Sequence, residues 1–195
     1  MTEVRTVAVI GAGIMGRGIA RAAALGGYRT ILEDLFPKSL RQAETELRLH
    51  LDQAVALGKV NANDAEAAFS RLEYADSVDE AGREADLVIE AVPDEMESKL
   101  EIFTMLDKFC RPATILASNT SSLSVTEIAS VTYRAKKCVG MRFLNPVHQM
   151  RLLEIVRALE TDDDTLAAAV EVGKRMGIEV VVIEEARCFG ASLIQ

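Results

Sequence analysis

The chain has 195 residues, 49% of them hydrophobic, with 12 glycines and 4 prolines; that is enough apolar material for one core and argues against disorder. Acidic residues outnumber basic ones 30 to 22, for a formal charge of -8, and the basic residues lie scattered among acids, which argues against nucleic acid or an anionic membrane as partner. The three cysteines, Cys110, Cys138 and Cys188, make no CxxC pair, and only His50 and His148 could complete a metal site. No apolar run approaches the roughly 18 residues of a membrane span. The expectation is a reduced, cytoplasmic protein without a structural metal.

Residues 6–10, TVAVI, are short, β-branched and apolar, and run into Gly11; from Ile14 an Ala-rich stretch extends to Gly26 and Gly27. The pattern predicts a strand, a tight turn, a helix and its C-cap. YRTILED (28–34) predicts a second strand. Residues 37–72 are charged and helical in period, broken at LGKVNAND (57–64), where Asn63 and Glu66 have capping-box spacing, so a helical hairpin is expected. ADLVIEAVP (85–93) is a continuous apolar run of the kind buried on both faces of a sheet, and EMESKLEIFTMLDKF (95–109) follows with helical period. ATILAS (113–118) repeats the strand pattern, SVTE (124–127) opens a short helix, and KKCVGMRF (136–143) is a further strand. LLEIV (152–156) and EVVVI (179–183) are two more strands, with the helix DDTLAAAVEVGKRMG (163–177) between them, acidic at its start and ended by Gly177.

Strands alternating with helices predict a doubly wound α/β domain: a Rossmann-like, mostly parallel sheet with helices on both faces and a helical hairpin after the second strand. Ligands of such sheets sit at the C-terminal ends of the strands. That rule points to residues 11–16, 33–35, 92–95, 118–122 and 142–148.

GAGIMG places Gly11, Gly13 and Gly16 in GxGxxG spacing, with Ile14 and Met15 on the same loop. The spacing is weak by itself, but here it follows a predicted strand and opens a predicted helix. In that context Gly11 permits the turn, Gly13 lets backbone approach a pyrophosphate, and Gly16 lets helix and strand pack closely. The second strand ends in Glu33 and Asp34, at the distance where an acid reaches adenosine ribose hydroxyls and repels a 2′-phosphate, which favours NAD over NADP. FAD also fits the fingerprint, although no second flavin-contact motif is present.

The runs VAVIGAGIMGRGIA, ADLVIEAVPDE, ILASNTSSLSVTEIA, VGMRFLNPV and MRLLEIV together closely resemble the NAD-binding domain of the L-3-hydroxyacyl-CoA dehydrogenases of fatty-acid metabolism. The resemblance covers nearly the whole chain, and SNTSSL and FLNPV are far more specific than the glycines. It implies an oxidoreductase that takes a 3-hydroxyacyl thioester, on CoA or a carrier protein, to the 3-oxoacyl form with NAD. It selects Asp34 as the ribose acid and adds Asp94, shorter than the family's usual Glu, and Lys99 as cofactor contacts. Ser121 and Asn145 fall at the reaction centre; without the resemblance they read as a turn residue and a strand-end cap.

Glu154 lies inside an apolar strand, where a carboxylate needs a partner. The resemblance implies a histidine there, the base that takes the hydroxyl proton while the glutamate orients its ring. This chain has Arg142 at that position. A guanidinium does not give up its proton under working conditions, so Arg142 cannot be that base; it can pair with Glu154 and hold a carbonyl or alkoxide oxygen electrostatically. His148, six residues on, could take the role if the loop after Pro146 folds back, and otherwise reads as a loop residue near the cleft mouth. The alternative function is an NAD-binding module without catalysis, acting as a scaffold or sensor.

Residues 1–186 are assigned to the NAD-binding domain and 187–195 to a stub. In RCFGASLIQ, Arg187 and Cys188 stand where the family has Pro-Gly, and Ser192 stands where it has a substrate-side asparagine. The resemblance implies a further C-terminal helical domain that closes the cleft and forms a homodimer.

Overall fold

The apolar run Thr6–Ile10 forms strand β1, buried along its whole length, in the interior of the sheet in the computed structural model, which describes residues 3–185. In chain order follow α1 (Ile14–Leu25), β2 (Arg29–Glu33), α2 (Pro37–Ala56), α3 (Ala62–Ser70), β3 (Leu72–Ala75), α4 (Val78–Glu84), β4 (Leu87–Glu90) and α5 (Met96–Phe109). Then come β5 (Ile115–Ser118), α6 (Val125–Ala129), β6 (Cys138–Phe143), β7 (Leu152–Arg157), α7 (Asp163–Arg175) and β8 (Glu179–Glu184). The eight strands form one sheet in the order β3-β2-β1-β4-β5-β6-β7-β8. Every neighbouring pair is parallel except β6 with β7.

The two-residue period of β1 divides the core. Val7 and Val9 point into one apolar cluster with Ile19 and Ala23 of α1, Leu47 of α2 and Val172 of α7. Ala8 and Ile10 point into another with Val78 of α4, Phe103 and Leu106 of α5 and Ile128 of α6. Helices therefore cover both faces, as a parallel sheet requires. Because β2 and β3 lie on one side of β1 and β4 to β8 on the other, the strand order reverses between β1 and β4, and the loops leaving those two strands diverge there to leave a crevice.

Three features depart from the sequence expectation. Strand β3 and helix α4 fall in a segment read as the end of the hairpin or left unassigned; β3 is a four-residue edge strand with half-exposed positions and no continuous apolar run, and α4 has seven residues, only about two helical turns. The N-cap of α3 is Asn61, not Asn63: the Asn61 side chain accepts from the Asp64 amide at 2.8 Å, and Glu66 binds Arg48 instead. Ser124 does cap α6, accepting from the Glu127 amide at 3.1 Å. The segment 187–195, with Arg187, Cys188 and Ser192, lies outside the described residues. Among the described residues no helix is long and apolar enough to cross a membrane.

Candidate dinucleotide and substrate cleft

The C-terminal ends of β1, β2, β4, β5 and β6 converge on a cleft of about 870 Å³, within the range of small-molecule sites. Its walls come from the loops the sequence picked out: Gly11, Gly13, Ile14 and Met15; Glu33 and Asp34; Asp94; Ser121; Arg142 and Asn145. Exposed Ile14, Leu35 and Phe36 form an apolar lip at the β1–β2 end.

At that end the glycines act through space and conformation. Gly11 has φ +99, which an L side chain rarely adopts, and a Cβ on Gly16 would sit 1.8 Å from the Gly11 carbonyl oxygen. Gly16 thus holds helix and loop together and does not face the cleft. A Cβ on Gly13 would meet nothing within 4 Å, so the backbone there is open to a ligand. Helix α1 starts at Gly13 with no side-chain cap, which leaves first-turn amides available to an anion. Asp34 accepts from the Ala12 amide through Oδ2 and from the Phe36 amide through Oδ1, both at 3.0 Å. These bonds tie the glycine loop to β2 and leave each oxygen a further acceptor site for a hydroxyl. These features fit the pyrophosphate and ribose of a dinucleotide.

At the other end the 119–122 turn wraps Asp94. Its carboxylate accepts from Thr120 Oγ1 and Ser121 Oγ, both at 2.7 Å, and from the Ser121 amide at 3.1 Å. Burial works to raise its pKa, but these bonds and the Lys99 charge outweigh burial and bring it down to about 2. Asp94 therefore stays ionised and fixes Ser121 in place. Lys99, expected as a cofactor contact, is fully buried: its Nζ lies 2.7 Å from Glu90 Oε1 and 3.6 Å from Asp94 Oδ1. It supports the loop after β4 from inside, because its Nζ also donates to the Val92 carbonyl at 3.4 Å.

Arg142 and Glu154 face each other across the antiparallel β6–β7 pair. Arg142 Nη1 donates to Glu154 Oε2 at 3.0 Å and Nε to the Thr120 carbonyl at 3.0 Å. Side-chain exposures of 28% and 26% leave this pair at the cleft wall, not in the core. Arg142 lines the cleft with Ser121 and Asn145, while Glu154 sits behind it. His148 does not enter: it is exposed on the turn after Pro146 and contacts Gln149, and burial first, then the charges of Arg21, His50 and Lys59, lower its pKa.

Sequence reasoning missed several supports. Glu90 is fully buried and binds Lys99, the Val92 amide and Ser118 Oγ. It carries the same signal that singled out Glu154, an acid within an apolar strand. Asn119 Oδ1 accepts from the Phe143 amide at 2.9 Å and so joins the β5 and β6 loops; no one-dimensional signal announces that contact.

A parallel sheet with a strand-order reversal, a glycine turn opening the first helix and an acid closing the second strand define a dinucleotide-binding α/β domain. Residues 6–186 match the family model of the 3-hydroxyacyl-CoA dehydrogenase NAD-binding domain, and the chain belongs to that family, whose cofactor is NAD. It is 38% identical over 183 residues to a probable 3-hydroxybutyryl-CoA dehydrogenase of Bacillus subtilis, covering 94% of this chain and 63% of the relative. The crystal structure of 3-hydroxybutyryl-CoA dehydrogenase from Escherichia coli K12 superposes with a TM-score of 0.90 at 36% identity, covering 93% of this chain and 38% of that one. A (S)-3-hydroxybutyryl-CoA dehydrogenase from Ralstonia eutropha gives 0.90 at 34% identity, over 94% of this chain and 65% of that one. The chain thus spans less than two thirds of each of these proteins.

Proposed function

We propose that this domain serves an NAD-dependent oxidoreductase that converts a 3-hydroxyacyl thioester, carried on CoA or a carrier protein, to its 3-oxoacyl form, with Arg142 standing in the place of the histidine base. The observation that carries the reading is the Arg142–Glu154 pair at the cleft wall, beside Ser121 and Asn145, on a domain of the 3-hydroxyacyl-CoA dehydrogenase family.

Gly11, Gly13 and the first turn of α1, with Ile14 and Met15, hold the pyrophosphate, and Asp34 holds the adenosine ribose. Bound NAD supplies the acceptor for the hydride leaving C3. Ser121, fixed by Asp94, and Asn145 orient the substrate oxygen. Arg142, anchored by Glu154 and the Thr120 carbonyl, stabilises negative charge on that oxygen through its remaining N–H groups, and the proton passes to solvent instead of an imidazole. A homodimer and a cleft closed by a helical domain after residue 186 belong to the same reading.

The second reading is an NAD-binding module without catalysis. It draws on the same pair, since Nε and Nη1 of Arg142 are already engaged by the protein's own oxygens. NADH formation with a panel of 3-hydroxyacyl-CoA substrates separates the two. Turnover in the parent protein, abolished by Glu154→Gln, is the expected result. A parent that is silent on every substrate yet binds NADH in calorimetry assigns the module; activity gained by Arg142→His would then show that the base alone was lacking.

A further inference from the structure

Glu33 lines the cleft, yet the reading above gives it no task. It closes β2 at 2% exposure, and its Oε1 has no hydrogen-bond partner among the described residues. Ile10, Val78 and Ile102 are its neighbours in the cleft wall. A bare carboxylate is strongly disfavoured in such surroundings. The adjacent Asp34 differs, because the Ala12 and Phe36 amides satisfy both of its oxygens.

Burial first, and then the charge of Asp34, raise the Glu33 carboxyl to about 7; the Gly11 amide opposes this and Asp76 adds to it. The surrounding elements bring apolar groups and acids: Ile10 and the Gly11 amide from β1 and its loop, Val78 from α4, Ile102 from α5 and Asp76 from the loop after β3. Glu33 thus sits in surroundings that disfavour its charged form.

We propose that Glu33 is a proton-linked group of the dinucleotide site, neutral when the cofactor binds, so that affinity for the dinucleotide falls as this carboxyl ionises. The pyrophosphate is anionic, and an ionised Glu33 beside Asp34 places a second negative charge in the same pocket. A ligand that covers the cleft also removes what water reaches the carboxyl, which favours its neutral form further. Linkage then requires that binding take up protons as the pH rises through the free protein's Glu33 pKa. The inference rests on the assignment of NAD as cofactor and is independent of the chemistry at Arg142.

Fluorescence titration with NADH between about pH 6 and about pH 8.5 tests it. The parent is expected to lose affinity several-fold over that range, and Glu33→Gln to bind at every pH as the parent does at the acid end. Carboxyl carbon NMR of the parent, labelled at glutamate, reads the same linkage without a substitution: the Glu33 midpoint moves up when NADH is added. A parent with flat affinity, a parent that binds more tightly as pH rises, a slope that survives in Glu33→Gln, or a midpoint unmoved by NADH would each overturn the proposal. Failure to bind NADH at any pH removes the cofactor assignment as well, whereas binding without a slope removes the proposal alone.

Discussion

Gly13 shows how little a single residue need do to define a binding site. Its backbone, at φ -67 and ψ -174, suits any residue, and the space beside it is open. Its lack of a side chain matters to a ligand and not to the fold. Gly13→Ala should therefore leave stability within about 0.5 kcal/mol of the parent while weakening NADH binding by roughly tenfold or more, about 1.4 kcal/mol. Chemical denaturation and calorimetry on the same preparation check the two halves, and a large stability loss would contradict the geometry. Gly16 is the converse case, where the clash is with the protein's own Gly11 carbonyl. The sequence shows both glycines with equal clarity and shows nothing of this division of labour.

Between elements, the buried ion pair of Lys99 and Glu90 fastens the first turn of α5 to the end of β4, and Ser118 Oγ, 2.6 Å from Glu90 Oε2, extends the link to β5. Removing one charge leaves the other buried without its counterion, which typically costs about 3–5 kcal/mol. Lys99→Met is expected to lower the denaturant midpoint accordingly, and adding Glu90→Gln should recover part of the loss. If Lys99→Met lost NADH affinity but kept full stability, Lys99 would be the cofactor contact that the family resemblance implied. The helical period of residues 95–109 made α5 legible in advance, and the β4 run likewise. What joins them was hidden because Glu90 and Lys99 sit nine residues apart, on different elements and with different periods.

For the molecule as a whole, the acid side of the stability profile follows from carboxylates that the fold keeps ionised. Asp94 is drawn down to about 2, where the Thr120 and Ser121 hydrogen bonds and Lys99 outweigh its burial. Glu73 is lowered by its hydrogen bond from Arg29, and Asp162 is lowered because Thr165 and Lys137 outweigh burial. A carboxyl whose folded pKa lies below its unfolded value near 3.9 adds stability above that value, and the gain disappears as pH falls through the folded pKa. Urea midpoints should accordingly fall as pH drops from about 4 toward about 2, and Asp94→Asn should flatten part of that fall. Glu33 acts in the opposite sense: with its folded pKa raised to about 7, its contribution is full below its unfolded value and is lost as pH rises through 7.

The alternation of apolar runs determined the layered α/β architecture, because a strand buried on both faces and a helix with one apolar stripe each leave a periodic mark in one dimension. The glycine spacing and the acid after the second strand likewise marked the dinucleotide end, since they answer to local backbone geometry. Strand β3 escaped detection because its four residues, LEYA, form no continuous apolar run like those of β4 and β5, and α4 because seven residues complete only about two helical turns. The family resemblance had already offered Glu154 to Arg142 as a partner, and the tertiary structure set the two in register across β6 and β7; it alone decided that Lys99 is fully buried outside the cleft lining and that Glu33 Oε1 is left without a hydrogen-bond partner among the described residues. These outcomes depend on which strands become neighbours and on which charges then find a counterion, and pairing between distant segments leaves no local trace along the chain.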